Sequence, residues 1–286
     1  MAFRYLLDLP IELRQQIYTF YLDSLALTYP DLLPSLLLVS HQLHEEASVT
    51  WRLSWPTAHF KFGGIRHLLR FLTRIKNSTL CKLRHVSVIN LALDLSPDSS
   101  NLFDIWFDPP ESPKPFANEY ERPRHIFDLH DLLPLFPGLQ LSTLTIYDPF
   151  YGYQGAYHQE TACHALGGLV RSQGWKELIY LVRHDWPSSP ADSHGLPQPS
   201  TWDALIKQRD GIYSGAGVQI FGIDTAKRRT SMSFTFPTDG QETSDRDQRY
   251  EHVEVQLTRG RGVDFVQEGG KCNAAIEYLF QYYSWK

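Results

Sequence analysis

Few stretches of the chain combine the residue types and spacings that chemistry needs. His41, His44 and Glu45 place two imidazoles three residues apart, which on a helix is one face and could begin a metal site. The order is not H-E-x-x-H, and no Cys or acidic third ligand stands at ligand spacing, so exposed helix histidines are expected. Cys163 and His164 are neighbours, but successive side chains on a helix diverge by about 100°, which makes a poor nucleophile–base dyad. A buried thiol beside a surface imidazole is the expectation. Ser214 lacks the G-x-S-x-G frame of a nucleophile elbow because Ile212 occupies the first glycine position. Gly215-Ala216-Gly217 begins like a dinucleotide fingerprint, but Ile220 stands at its third glycine and a strand, not a helix, follows. Lys227-Arg228-Arg229 reads as a solvated basic turn, and with Thr230-Ser231 it also suits a basophilic kinase. No catalytic residue, metal ligand or cofactor-binding residue is expected, and no cofactor; the chain is read as a non-enzyme.

Composition sets the frame for these residues. The chain has 286 residues, 42% hydrophobic and 21% charged, with a net charge of −5. That length can bury a sizeable core, and the balance is that of an ordinary globular protein. The negative charge gives no bulk attraction to nucleic acid, so no nucleic-acid partner is expected. Three scattered cysteines (Cys81, Cys163, Cys272) are not a disulfide framework and suit a reducing compartment. The opening residues hold no apolar run of signal-peptide or membrane-span length. The expectation is a cytoplasmic or nuclear protein without a membrane partner.

The elements that organise the chain lie at its start. Pro10 stands where a helix begins, Asp8 is a candidate cap, and Glu12 lies in the first turn, where negative charge is favoured. Leu9, Leu13, Ile17, Phe20 and Tyr21 recur at spacings of three and four and form one apolar stripe. A second helical run is predicted from about Pro34 to Trp51. Its residues Leu36, Leu37, Val39, Leu43 and Ala47 should face inward, while His41, His44 and Glu45 should face water.

Two phrases, Leu9-Pro10-Ile11-Glu12-Leu13-Arg14 through Ile17-Tyr18 and Val39-Ser40-His41-Gln42 through Glu46-Ala47, carry a resemblance. Together they resemble the F-box, the helical module that docks substrate receptors onto the adaptor of a cullin-type ubiquitin ligase, in the wording of the large fungal F-box-like families. The resemblance covers roughly residues 3–90. It implies a ligase adaptor as partner, with Leu9, Pro10, Leu13 and Ile17 as the docking residues, and an unknown protein substrate held by the rest of the chain. Leu43 and His44 stand where a typical F-box has Trp and Arg. Two other readings stay open: a non-ligase scaffold with a degenerate F-box, and an α/β enzyme with an unrecognised site. Leu9, Leu13 and Ile17 could equally be plain core residues of the first helix. The helical pair and the rest of the chain are expected to form one cooperative unit. Leu13→Ala, truncating a buried Leu, should then lower the melting temperature of the whole chain at a cost of roughly 2–5 kcal/mol.

Beyond the helices, residues 56–286 read as an α/β body packed against a helical region of residues 1–55. A Leu-x-x-Val-x-Val phrase at Leu83, Val86 and Val88 returns at Leu141, Leu144 and Ile146, at Trp175, Leu178 and Tyr180, and at Val218, Phe221 and Ile223. Each follows a predicted helix: 65–75, 126–136, 157–173 and 201–209. Serial helix–strand units predict a largely parallel sheet with both faces buried, irregular and leucine-rich-repeat-like. The overall class is therefore α/β or α+β. The Pro-rich stretch 94–124 interrupts the series, as does 186–199. Alternation at 231–236 and 250–257 predicts a C-terminal hairpin, with a polar, mobile loop at 238–248 and a last helix over 271–283. Tyr147, Phe150, Tyr151 and Tyr153 follow a strand end, where loops of parallel sheets gather ligands, and form a candidate recognition surface.

Overall fold

A computed structural model describes residues 6–23, 26–28, 35–89, 92–94, 126–148, 164–183, 199–232 and 251–263. Within them the expected N-terminal helical pair is present. Helix α1 (Ile11–Asp23) leads through strand β1 (Ala26–Thr28) and a 3-10 turn (Ser35–Leu38) to helix α2 (His41–Ser54). The second run is thus two pieces rather than one. Ser40 ends the 3-10 turn in extended conformation, and its hydroxyl accepts the Leu43 N–H at 3.2 Å, capping α2.

The body follows as β2 (His59–Phe62), α3 (Ile65–Arg74), a short helix α4 (Asn77–Leu80), β3 (His85–Ile89) and β4 (Ala92–Asp94). Next come β5 (Ile126–Asp128), the helical turn α5 (Leu129–Leu132), β6 (Leu141–Asp148), helix α6 over 164–171, and β7 (Trp175–Arg183). Helix α7 (Pro199–Asp210) precedes β8 (Gly217–Ile223), β9 (Arg229–Met232) and β10 (His252–Thr258). Eight strands form one mixed sheet in the order β1-β2-β3-β6-β7-β10-β8-β9. The first five run parallel. From β7 onward every neighbour is antiparallel. The four strands predicted from the recurring phrase all form. However, no regular leucine-rich-like repeat emerges, because β10 inserts between the third and fourth of them.

Three expectations are corrected. The stretch 126–136 is not a helix: β5 pairs with β4 there and only short helical turns follow. The hairpin is not between 231–236 and 250–257, since β9 pairs with β8 while β10 lies between β7 and β8. The hairpin turn is instead at Asp224–Arg228, where Lys227 N–H reaches Asp224 O at 2.8 Å and the Asp224 carboxylate accepts Arg228 N–H at 2.8 Å. Among the described residues, only one face of the sheet is fully buried. Phe60, Phe62, Val86, Val88, Leu144, Ile146, Leu178, Tyr180, Val255 and Leu257 are buried on it. They share a single core with Leu68 and Leu72 of α3, Leu166 and Leu169 of α6, and Trp202 and Ile206 of α7. The other face carries His59, Lys61, Ser87, Thr145 and Tyr147, all partly or fully exposed. The recurring phrase alternates apolar with polar residues, which is the pattern of a half-covered strand rather than one buried on both sides.

The same core holds Tyr18, Leu22, Leu43, Ala47 and Trp51 of the helical pair. The rings of Trp51 and Trp55 lie 6.2 and 5.2 Å from Phe60 of β2, joining α2 to the sheet. The predicted elements in 94–124 (save Asp94, which ends β4), 186–198, 238–248 and 271–283 lie outside the described residues, as does Cys163.

Candidate partner-docking surface on the helical pair

Helix α1 closes its first turn on Pro10, whose carbonyl accepts Arg14 N–H at 3.1 Å. With no N–H to satisfy and φ already helical, Pro10 suits that position. The residues that α1 buries are Tyr18 and Leu22, both 0% exposed. Its apolar stripe points the other way. Leu13 is 45% exposed, Ile17 43% and Phe20 82%. Leu9 is half-buried and Pro10 exposed. Of the residues expected to dock a partner, Leu13 and Ile17 therefore share the outer face of α1 and are not core. Leu13→Ala should change stability by no more than about 0.5 kcal/mol, whereas Leu22→Ala should cost about 2–5 kcal/mol. Chemical denaturation of the two variants measures the difference.

A polar joint adds to the buried apolar contact between α1 and α2. Arg14 grips the Glu46 carboxylate with two bonds, Nε to Oε2 and Nη2 to Oε1, each 2.9 Å. Its remaining nitrogen, Nη1, donates to Leu7 O at 2.7 Å and Leu9 O at 2.8 Å, which fixes the corner leading into Pro10. Tyr18 Oη and Gln42 Nε2 donate to the same carboxylate, each at 2.9 Å. The bond from Gln42 first, then those from Tyr18 and Arg14, hold the Glu46 carboxyl below the usual range against the opposing effect of burial. Burial first, then the hydrogen bond to Glu46 and its charge, pushes the Tyr18 phenol up to about 12.

This joint brings the two phrases together in space. Arg14 and Tyr18 from the first meet Gln42 and Glu46 from the second, beside the cap Ser40 and the buried Ala47. The signal for the role of Arg14 in the sequence is one Arg in the first phrase and one Glu in the second, charges that can pair when the two helices meet. The inward prediction for the second run holds for Leu37, Leu43 and Ala47, while Val39 is 42% exposed. His41, His44 and Glu45 are exposed as expected, and a ring nitrogen of His44 lies 3.1 Å from Leu37 O.

Of the second candidate surface, Tyr147 is the penultimate residue of β6, on the uncovered face and half-buried, its ring 6.0 Å from His252. Phe150, Tyr151 and Tyr153 lie outside the described residues. Ser214 donates to Gly211 O at 2.6 Å and accepts Ala216 N–H at 3.2 Å, so its hydroxyl braces a turn. Asp128, His130 and Asp131 form an acid–imidazole group with ligand-type atoms within 4.8 Å of one another. Reading this stretch as one helix hid that group.

On the uncovered face His59 and His85 sit opposite each other in register, rings parallel within 11° and 5.0 Å apart. Burial first, then Lys61, lowers the His59 pKa. Burial first, then His59 and Arg84, lowers that of His85, with Glu177 opposing. Folding thus favours the neutral rings. Their stabilising contribution is complete above the unfolded value near 6.5 and is lost as pH falls below it. Melting curves at pH 8 and pH 5 should separate more for the parent chain than for a His59→Asn, His85→Asn double variant. An equal separation would exclude the pair as the source.

No family model, curated protein or solved structure matches this chain.

Proposed function

We propose that the chain is an F-box-like protein–protein interaction protein, in which the helical pair docks a cullin-type ligase adaptor and the α/β body holds a protein substrate. The observation that carries this reading is the outward apolar stripe of α1: Leu13, Ile17 and Phe20 are exposed while the polar Arg14–Glu46 joint is inside. A helix that stabilised only its own domain would be expected to turn those residues inward. Exposed aliphatic and aromatic residues on a rigid helix are the anchors that docking interfaces use. The proposal includes a cytoplasmic or nuclear location and no enzymatic activity. No described helix is long and apolar enough to cross a membrane.

A second reading is supported by Leu43 and His44, at the Trp–Arg positions of a typical F-box. Leu43 is 0% exposed, so no side chain is presented at the Trp position, and the exposed His44 has a ring nitrogen engaged with Leu37 O where an Arg is expected. On this reading the same stripe serves a non-ligase scaffold. Affinity purification from a fungal extract separates the two: adaptor and cullin peptides support the ligase, and a partner set without them supports the scaffold.

A further inference from the structure

We propose that Ser231 is a phosphorylation site for a basophilic serine/threonine kinase, and that Arg229 is the built-in receptor for the phosphate. The sequence Arg228-Arg229-Thr230-Ser231 places arginines three and two residues before the acceptor hydroxyl. The structure adds what a motif alone lacks. Among the described residues β9 is the edge of the sheet, paired on one side only, to β8. Arg228, Arg229, Thr230 and Ser231 are all exposed, and the backbone at the acceptor is already extended, the shape in which a substrate segment adds to a recognition groove. The Arg228 side chain pairs with Asp224, in an ion pair whose arginine is 80% exposed. Such a pair yields readily to an acidic kinase surface.

Arg229 is placed differently. Its guanidinium lies 3.4 Å above the centre of the Phe221 ring, and Nη2 donates to both Glu254 and Gln256. Phe221 is the residue directly opposite Ser231 in the β8–β9 register, and Glu254 is opposite Phe221 on β10. Directly opposed side chains start roughly 5 Å apart. A phosphate on Ser231 therefore falls beside a guanidinium already held flat over Phe221. In the transfer, the Ser231 oxygen bonds to the γ-phosphorus of ATP, the bond to the bridging oxygen of ADP breaks, and the serine proton is released. The product carries nearly two negative charges and three acceptor oxygens, which can draw Arg229 away from Glu254 and Gln256. Glu254, only 9% exposed, then loses its cation beside a new anion, which loosens the β8–β9 edge.

The test uses the full chain with Mg–ATP and the catalytic subunit of cyclic-AMP-dependent kinase, with site mapping by mass spectrometry. Phosphate should accumulate at Ser231, vanish in Ser231→Ala and persist in Thr230→Ala. Arg228→Ala should slow incorporation about tenfold, the scale of one lost charge-assisted contact. A synthetic peptide of residues 225–236 separates motif from fold. Peptide labelled but folded chain unlabelled at Ser231 overturns the proposal, as does failure of both. Phosphorus NMR titration reads the second part. The phosphate should lose its last proton at lower pH on the chain than on the peptide, and an equal value would remove Arg229 from the receptor role.

Discussion

Glu46→Ala is expected to destabilise the chain by about 2–3 kcal/mol, roughly a 4–10 °C fall in melting temperature. The carboxylate is the shared acceptor for Arg14, Tyr18 and Gln42, and its removal leaves the guanidinium, whose side chain is only 12% exposed, without its anion. Breaking a fully buried pair costs about 3–5 kcal/mol. The side chains here are 12% and 17% exposed, so the expected loss is scaled down for solvent screening. Glu46→Gln keeps an oxygen for Tyr18 and should lose less. A double-mutant cycle with Arg14→Ala isolates the pair: the double variant should be more stable than the two single losses predict by at least about 1 kcal/mol. Simple additivity would show that the residues act apart. The carboxyl titrates below its usual range, so its stabilising contribution is present above an unfolded value near 4.5 and falls away as pH drops through the folded value.

Where local pattern and tertiary use agreed, the fold was legible in the sequence. The helices at 11–23 and 65–74 follow from a capping proline and from Ile65, Leu68, Leu69 and Leu72 at helical spacing. The strands at 141–148 and 175–183 follow from alternation. Neighbour choice was not legible. Nothing local tells β10 to enter between β7 and β8, because strand partners are selected by long-range burial. The direction in which the α1 stripe faces was also hidden. Periodicity reports that Leu13, Ile17 and Phe20 share a face, but a docking face and a core face have the same period. Beside Leu22, the inward side of α1 carries Arg14 and Tyr18, residues usually assigned to the surface, and the Glu46 carboxylate on α2 with the Leu7 and Leu9 carbonyls satisfies their polar atoms.

That inversion gives the sharpest functional expectation. Ile17→Asp, alone or with Leu13→Asp, should abolish co-purification with the partner proposed for the helical pair, while the melting temperature stays close to that of the parent chain. A desolvated anchor is typically worth at least about 2 kcal/mol, or roughly 30-fold in affinity, and a carboxylate at its place adds a desolvation penalty. The fold tolerates the change because both side chains already stand 43–45% exposed in the free protein. Glu12→Ala, on the exposed start of α1, should alter binding only slightly, since rim charges chiefly affect association rate and salt dependence. Arg14→Ala is not an equivalent charge control. It frees the Leu7 and Leu9 carbonyls as well as Glu46, so it should disturb the Leu9–Pro10 corner and weaken docking through loss of structure, visible as a lowered melting temperature. Retained binding in Ile17→Asp with loss in Glu12→Ala would mean an electrostatic contact and would refute docking through the α1 stripe. Loss of adaptor in Ile17→Asp with an unchanged melting curve would support the ligase reading. The same loss affecting a different partner would keep the docking face and assign it to a scaffold.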